Sequence, residues 1–177
     1  VWTEVLLLAK LAQRPFHGYE LRREIEESTG RTLSNNSLYP TLRRFADAGA
    51  VIRSAEEQEG KPPRHVYEIT AVGRELLHDM LAELPEELAA DESEFLARLA
   101  NFHRLGPPER LRVLDARDRA LDRIGIRIAK LASAQEETWS RLVLDRVLHK
   151  VSEERAWLAG LRAAATDTQA RPEGETR

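Results

Sequence analysis

Two asparagines between two serines, Ser34-Asn35-Asn36-Ser37, lead into Leu38-Tyr39-Pro40-Thr41-Leu42-Arg43-Arg44-Phe45. Leu38, Leu42 and Phe45 recur at i, i+4 and i+7, which is one buried face of a helix. The other face carries amides, hydroxyls, a phenol and two guanidinium groups, all able to hydrogen-bond outward. Short Asn and Ser side chains at a helix start allow close approach, and the free N–H groups and dipole there attract phosphate. An asparagine amide can make a bidentate contact to adenine, and an arginine one to guanine. Asn35, Asn36, Ser37, Tyr39, Thr41, Arg43 and Arg44 are therefore suited to a DNA groove. The plainer readings are that Tyr39 packs against the neighbouring hairpin and that the two arginines are solvated charges. We expect at least one arginine to meet phosphate and the other to pair with Asp47 or Glu20.

Such a face must be carried by neighbouring elements, and the chain spells them out. Thr3 is placed to cap a first helix running to about Ala12. Arg14-Pro15-Phe16-His17-Gly18 breaks it, and a second helix spans about Gly18 to Thr29, with Leu21 and Ile25 inward and Gly30 as its end. Pro40 lacks an N–H and is tolerated in a first turn, so the third helix should begin within a residue or two of Asn36 and end at Gly49. Val51–Glu57 and Arg64–Ile69 flank a Gly/Pro turn and read as a hairpin. Thr70 should cap a fourth helix that runs to about Leu84. This order over residues 1–84 is a winged helix-turn-helix, three helices plus a two-stranded wing. Lys61, Arg64 and His65 fall on the turn and second strand of the wing, where it would meet backbone or minor groove.

Residues 85–165 read as helical throughout, giving a mainly α fold. Asp91 and Glu94 start one helix before Phe95, Leu96, Leu99 and Phe102, and Gly106-Pro107-Pro108 opens the next. There Leu114, Leu121 and Ile128 recur every seven residues, an a/d-like seam that Arg117 interrupts. A last helix from about Glu136 to Ala165 carries Trp139, Leu142, Val143, Val147, Val151, Leu158 and Leu161. Residues 166–177 are polar and aperiodic, and are expected to be a disordered tail.

Composition removes several classes. The chain has no cysteine, so disulfides and thiolate metal sites are excluded. Its longest apolar run, Val5–Ala9, is far too short for a membrane span. Secretory features are absent at the start, so a cytoplasmic location is expected, and Val1 is not an initiator, so a few residues should precede it. His17, His78, His103 and His149 show no metal spacing. Neither a carboxylate pair, an activated nucleophile nor a phosphate loop suggests an enzyme or a cofactor. The net charge of -3 argues against a uniformly basic DNA binder. Residues 1–73 hold ten Lys/Arg and ten Asp/Glu, so any DNA contact must be a local patch.

Three separated motifs go further. "PFHGYEL" (Pro15–Leu21), "SLYPTLRRF" (Ser37–Phe45) and "GKPPRHVYEITAVGREL" (Gly60–Leu76) resemble the PadR family of transcriptional regulators in order and spacing over about residues 2–80. The resemblance implies a winged-helix homodimer that represses a promoter and is released by a small-molecule effector. It implies that Tyr19 touches the DNA backbone, that Ser37, Tyr39 and Thr41 lie in or beside the major groove, and that Lys61 and Arg64 belong to the wing. The position before Ser37 is often small in the family, and Asn36 here could read a base. The C-terminal helices match only in kind, as a dimerisation domain. Trp2, Leu114, Leu121, Ile128, Trp139, Val147, Val151, Leu158 and Leu161 are the residues expected at that dimer interface. Trp139 and Trp157 could stack a flat ligand, although filling the dimer core is the simpler role. The competing reading is a protein–protein adaptor on a winged-helix scaffold, favoured only by the neutral charge of residues 1–73.

Overall fold

The computed structural model describes residues 2–58 and 61–167, with the backbone alone described for 57, 58 and 61–63. The expected tail thus lies outside the described residues from position 168 on, whereas Thr166 closes the last helix. The chain divides into two compact units, the break falling after Leu81, where the sequence reading placed it after Leu84.

The N-terminal unit comprises α1 (Trp2–Leu11), β1 (Phe16–His17), α2 (Gly18–Thr29), α3 (Asn35–Asp47), β2 (Val51–Gln58), β3 (Lys61–Ile69) and α4 (Ala71–Ala82). Its core is the apolar stripe of each helix: Val5, Leu7, Leu8, Leu21, Ile25, Leu38 and Leu42 are all fully buried. Each such side chain contributes about 1.5–3 kcal/mol by leaving water. Thr3 is not a cap, because the helix already includes Trp2. Gly30 (φ 65°) ends α2 in the left-handed region that other residues resist, and its N–H bonds the Glu26 carbonyl.

The sheet has the order β1-β3-β2, antiparallel throughout, with Phe16 opposite Tyr67 and Val51 opposite Ile69. β1 is the correction here. The segment reads as a break, since two residues are too few to show alternation, yet it adds a third strand and buries Phe16. β3 also starts earlier than expected, at Lys61, so Pro62 and Pro63 lie within it.

The second unit contains α5 (Glu92–Leu99), a 3-10 turn (Phe102–Arg104), α6 (Pro107–Ala134) and α7 (Thr138–Thr166). Asp91 caps α5 by accepting from Ser93 N–H at 2.7 Å. Glu137 caps α7, and the amides of Ser140 and Trp139 hold its carboxyl below the usual range. The core gathers Leu84, Ala89, Phe95, Val113, Leu114, Leu121 and Leu158. Leu96 is exposed, while Glu94 and Arg98 are buried. Those two sit one turn apart and neutralise each other at 2.9 Å, so the inner face of α5 can carry them.

Candidate nucleic-acid interface

The third helix begins at Asn35 with Ser34 as its N-cap, whose hydroxyl accepts from Asn36 N–H at 3.1 Å. Pro40 is therefore its sixth residue, beyond the first turn. It has no N–H to offer the Asn36 carbonyl, which leaves that carbonyl without its helical donor. Asn36 and Arg43 are seven residues apart, so they share the face opposite Leu38, Leu42 and Phe45. Asn36, Ser37, Tyr39 and Arg43 are exposed, and Thr41 is half-buried at the edge of that face.

Not every polar residue of α3 is available. Asn35 accepts from Arg22 Nη1 at 2.9 Å, which ties the start of α3 to α2 and occupies the amide oxygen. Ser37 donates its hydroxyl to the Ser34 carbonyl at 2.9 Å. Arg44 pairs with Glu4 of α1, not with Asp47 or Glu20 as the sequence suggested. Glu20 instead accepts from His17 N–H at 3.2 Å, closing the start of α2. Arg43 is thus the cation that α3 presents outward.

The wing meets the same region. Arg64 lies over the Tyr19 ring at 5.5 Å, and His17 stacks on the same Tyr19 ring at 5.8 Å between centroids. Arg53 of β2 donates to Nε2 of His65, and His17 Nε2 stands 3.3 Å from Glu56. His65 is half-buried on the wing, and the Lys61 side chain lies outside the described residues. Tyr67, buried at the centre of the sheet, has its phenol pushed up by burial, with Arg53 pulling the other way. The structure therefore brings Tyr19, Tyr39 and Arg64 to one edge, where β1, the start of α2 and the wing converge. His17 and Arg53 belong to this group and were missed, because a lone His before a helix and a lone Arg in a strand carry no periodic signal.

Gly18 sets the approach of these elements. A Cβ there would stand 2.9 Å from Tyr39 Cε1. Gly18→Ala should displace the Tyr39 ring while the helix gains propensity, so stability should change by no more than about 1 kcal/mol. Urea unfolding and the Tyr39 ring resonances would check this; unmoved resonances would show that the glycine is not what seats the tyrosine.

Of the residues expected to join two copies, Leu114, Leu121 and Leu158 are buried by their own chain. This corrects the sequence reading: the heptad-like seam of α6 faces α7 of the same unit. Ile128, Val147, Val151 and Leu161 are half-buried, whereas Trp139 is 76% exposed beside exposed Leu142 and Val143. Trp2 is half-buried with the Arg31 guanidinium 5.3 Å from its ring centre. Trp157 is partly exposed and meets Phe95 edge-on at 6.2 Å. Among the described residues no group of His, Asp and Glu could hold a metal ion, and no helix is long and apolar enough to cross a membrane.

Comparison with known proteins bears on the N-terminal unit above all. Residues 7–79 match the Transcriptional regulator PadR-like family. A 37.1 kDa protein in transposon TN4556 of Streptomyces fradiae is 35% identical over 104 residues, 55% of this chain. The chain spans only 29% of that relative's length. Among solved structures, TA0346 of Thermoplasma acidophilum is 35% identical over 44% of this chain and 72% of its own, with a TM-score of 0.41. Bacillus subtilis PadR, solved with operator DNA, is 20% identical over 91% of this chain and 96% of its own, with a TM-score of 0.43. With the three motifs lying on β1 and α2, on α3 and on the wing and α4, residues 7–79 of the chain match the PadR-like family of transcriptional regulators.

Proposed function

We propose that the chain binds operator DNA as a cytoplasmic homodimer and represses transcription until a small molecule releases it. The observation that supports DNA binding is the outward face of α3, where Asn36 and Arg43 stand exposed together beside Tyr39. Asn36 is the base reader of this arrangement, since Asn35 is engaged by Arg22. Arg43, Arg64 and Tyr19 are positioned as backbone contacts, with Ser37, Thr41, Lys61 and His65 flanking them. Repression and release are carried by the family resemblance.

Dimerisation is assigned to the far end of the α6–α7 hairpin. Ile126, Leu131, Trp139, Leu142 and Val143 are all exposed there. Large apolar side chains at this density on two adjoining helices suit a second copy. A two-fold dimer reads an inverted repeat, with half-sites about one helical turn apart.

A shift assay with upstream DNA and with random DNA at two salt concentrations tests this reading. Arg43→Ala should weaken binding to every sequence and lower the salt slope by about 1. Arg44→Ala should do less, because Glu4 already holds that guanidinium. Asn36→Ala should relax choice at one base pair, a discrimination of about 1–3 kcal/mol. Equal losses on operator and random DNA would remove Asn36 as a reader. The balanced charge of residues 1–73 is the one feature that favours an adaptor, which would show no salt-sensitive, sequence-selective shift.

A further inference from the structure

The turn between α2 and α3 is held from the α2 side by a pair of charged residues. Glu26 Oε1 accepts from Arg22 Nε at 3.1 Å and from Leu33 N–H at 2.8 Å. The Glu26 carbonyl accepts from Gly30 N–H at 2.9 Å, and Leu33 is itself buried. Arg22 and Glu26 stand four positions apart on α2, the spacing at which opposite charges meet. Arg22 is thereby fixed near its base, and it sends Nη1 across to the amide oxygen of Asn35 at 2.9 Å. Asn35 is the first residue of α3 and is exposed.

This contact limits what the Asn35 amide can offer DNA. A guanidinium has donors and no acceptor, so the amide oxygen, and not the NH2 group, must face it. An asparagine reads adenine by accepting from N6 and donating to N7 at once. At Asn35 the adenine amino group could reach the amide oxygen only alongside the guanidinium, donor against donor. Guanine presents acceptors at both N7 and O6 on the same edge, which suits an NH2 group with a guanidinium behind it. The N-terminal residues of the helix that enters the major groove are the ones that meet base edges.

We propose that Arg22 is a specificity-determining residue: by occupying the Asn35 amide oxygen, it turns a side chain suited to adenine into one that selects guanine. Asn36 remains the amide reader, and Asn35 beside it is a second contact restricted to donating. The inference rests on the reading of α3 as the DNA-facing helix. It adds to that reading a residue of α2 that acts through another side chain and need not touch a base.

The test is selection of bound sequences by the full chain from a randomised duplex library, repeated with Asn35→Ala, Arg22→Met and Arg22→Lys. Asn35→Ala should relax one base pair, which identifies the position. There the unsubstituted chain should prefer guanine over adenine by about fivefold or more, the lower end of what a matched base contact gives. Arg22→Met keeps the apolar stem, leaves Glu26 on Leu33 N–H and removes the donors. It should move the preference at that base pair to adenine and leave the other positions unchanged. Arg22→Lys keeps a donor beside the oxygen and should retain guanine. A thermal midpoint is taken for each variant. Should Arg22→Met not fold, the base preferred by the unsubstituted chain and by Arg22→Lys still decides. Adenine at that position in the unsubstituted chain, or a preference that Arg22→Met leaves as it was, would overturn the inference. So would equal weakening of Arg22→Met on every sequence, the mark of a merely structural or phosphate-binding residue. If the chain selects an operator and Asn35→Ala relaxes no position, the inference fails and the reading of α3 stands. A chain that selects no sequence removes both.

Discussion

Replacing Gly73 with alanine is expected to destabilise the N-terminal unit by about 3 kcal/mol or more, at or beyond the upper end of ordinary overpacking. A Cβ at this position would stand 2.0 Å from the Ala50 carbonyl oxygen and 2.7 Å from Ile69 Cγ1. The carbonyl cannot step aside without loss, because it accepts from Thr70 N–H at 3.0 Å. Thr70 is held in turn: its hydroxyl donates to Gly49 O at 2.7 Å and accepts from Gly73 N–H at 3.1 Å. This knot joins the turn after α3, the end of β3 and the start of α4. Small domains are stable by only about 5–15 kcal/mol, so the loss would consume much of the margin. Urea unfolding would measure it. Gly160→Ala is the control, since nothing lies within 4 Å of its Cβ and an exposed helical glycine should gain up to about 1 kcal/mol on substitution. A Gly73→Ala loss below about 1 kcal/mol would mean that α4 slides freely on the hairpin, and that the "TAVGREL" glycine has another role.

That glycine shows what was legible in the sequence and what was not. Elements with long periodic patterns could be read: α2 spans Gly18–Thr29 as expected, and the hairpin lies where β-branched runs flank a Gly/Pro turn. Local chemistry could be read in part: α3 starts beside Asn36 as Pro40 suggested, while only the structure singles out Ser34 as its N-cap. Contacts between distant segments could not. Nothing in the spacing of Glu4 and Arg44, forty positions apart, announces their pairing, and the expected partners were the nearer Asp47 or Glu20. The seam of α6 was misassigned for a related reason. A heptad-like stripe reports that a face is buried and is silent on whether the covering helix belongs to the same chain. Arg117, which looked like a flaw in that stripe, is a buried residue with its own partner on α7.

That partner makes the last prediction a test of why the charge is there. Arg117 is 3% exposed and grips Glu154 with two hydrogen bonds, 2.8 Å from Nε and 2.9 Å from Nη2. Its Nη1 donates to the Ala89 carbonyl at 2.9 Å, and its guanidinium lies 5.8 Å from the Phe95 ring centre. Glu154→Leu should cost about 3–5 kcal/mol, because it strands a buried guanidinium. Arg117→Met should cost less, since the Glu154 side chain is 19% exposed and can recover water. The double substitution should recover much of the loss, because an apolar pair avoids the desolvation that the ions suffer. Calorimetric unfolding of the three variants gives the coupling directly. The outer pairs, Arg155 with Asp118 and Asp122 and Arg162 with Asp115, are more exposed and contribute at most about 1 kcal/mol each. If the double variant is stable and assembles as the unsubstituted chain does, the ion pair serves to fix how α6 and α7 register and not to hold them together. If it is stable but assembles differently, the proposed contact of the exposed tryptophan and its neighbours with a second copy depends on that register.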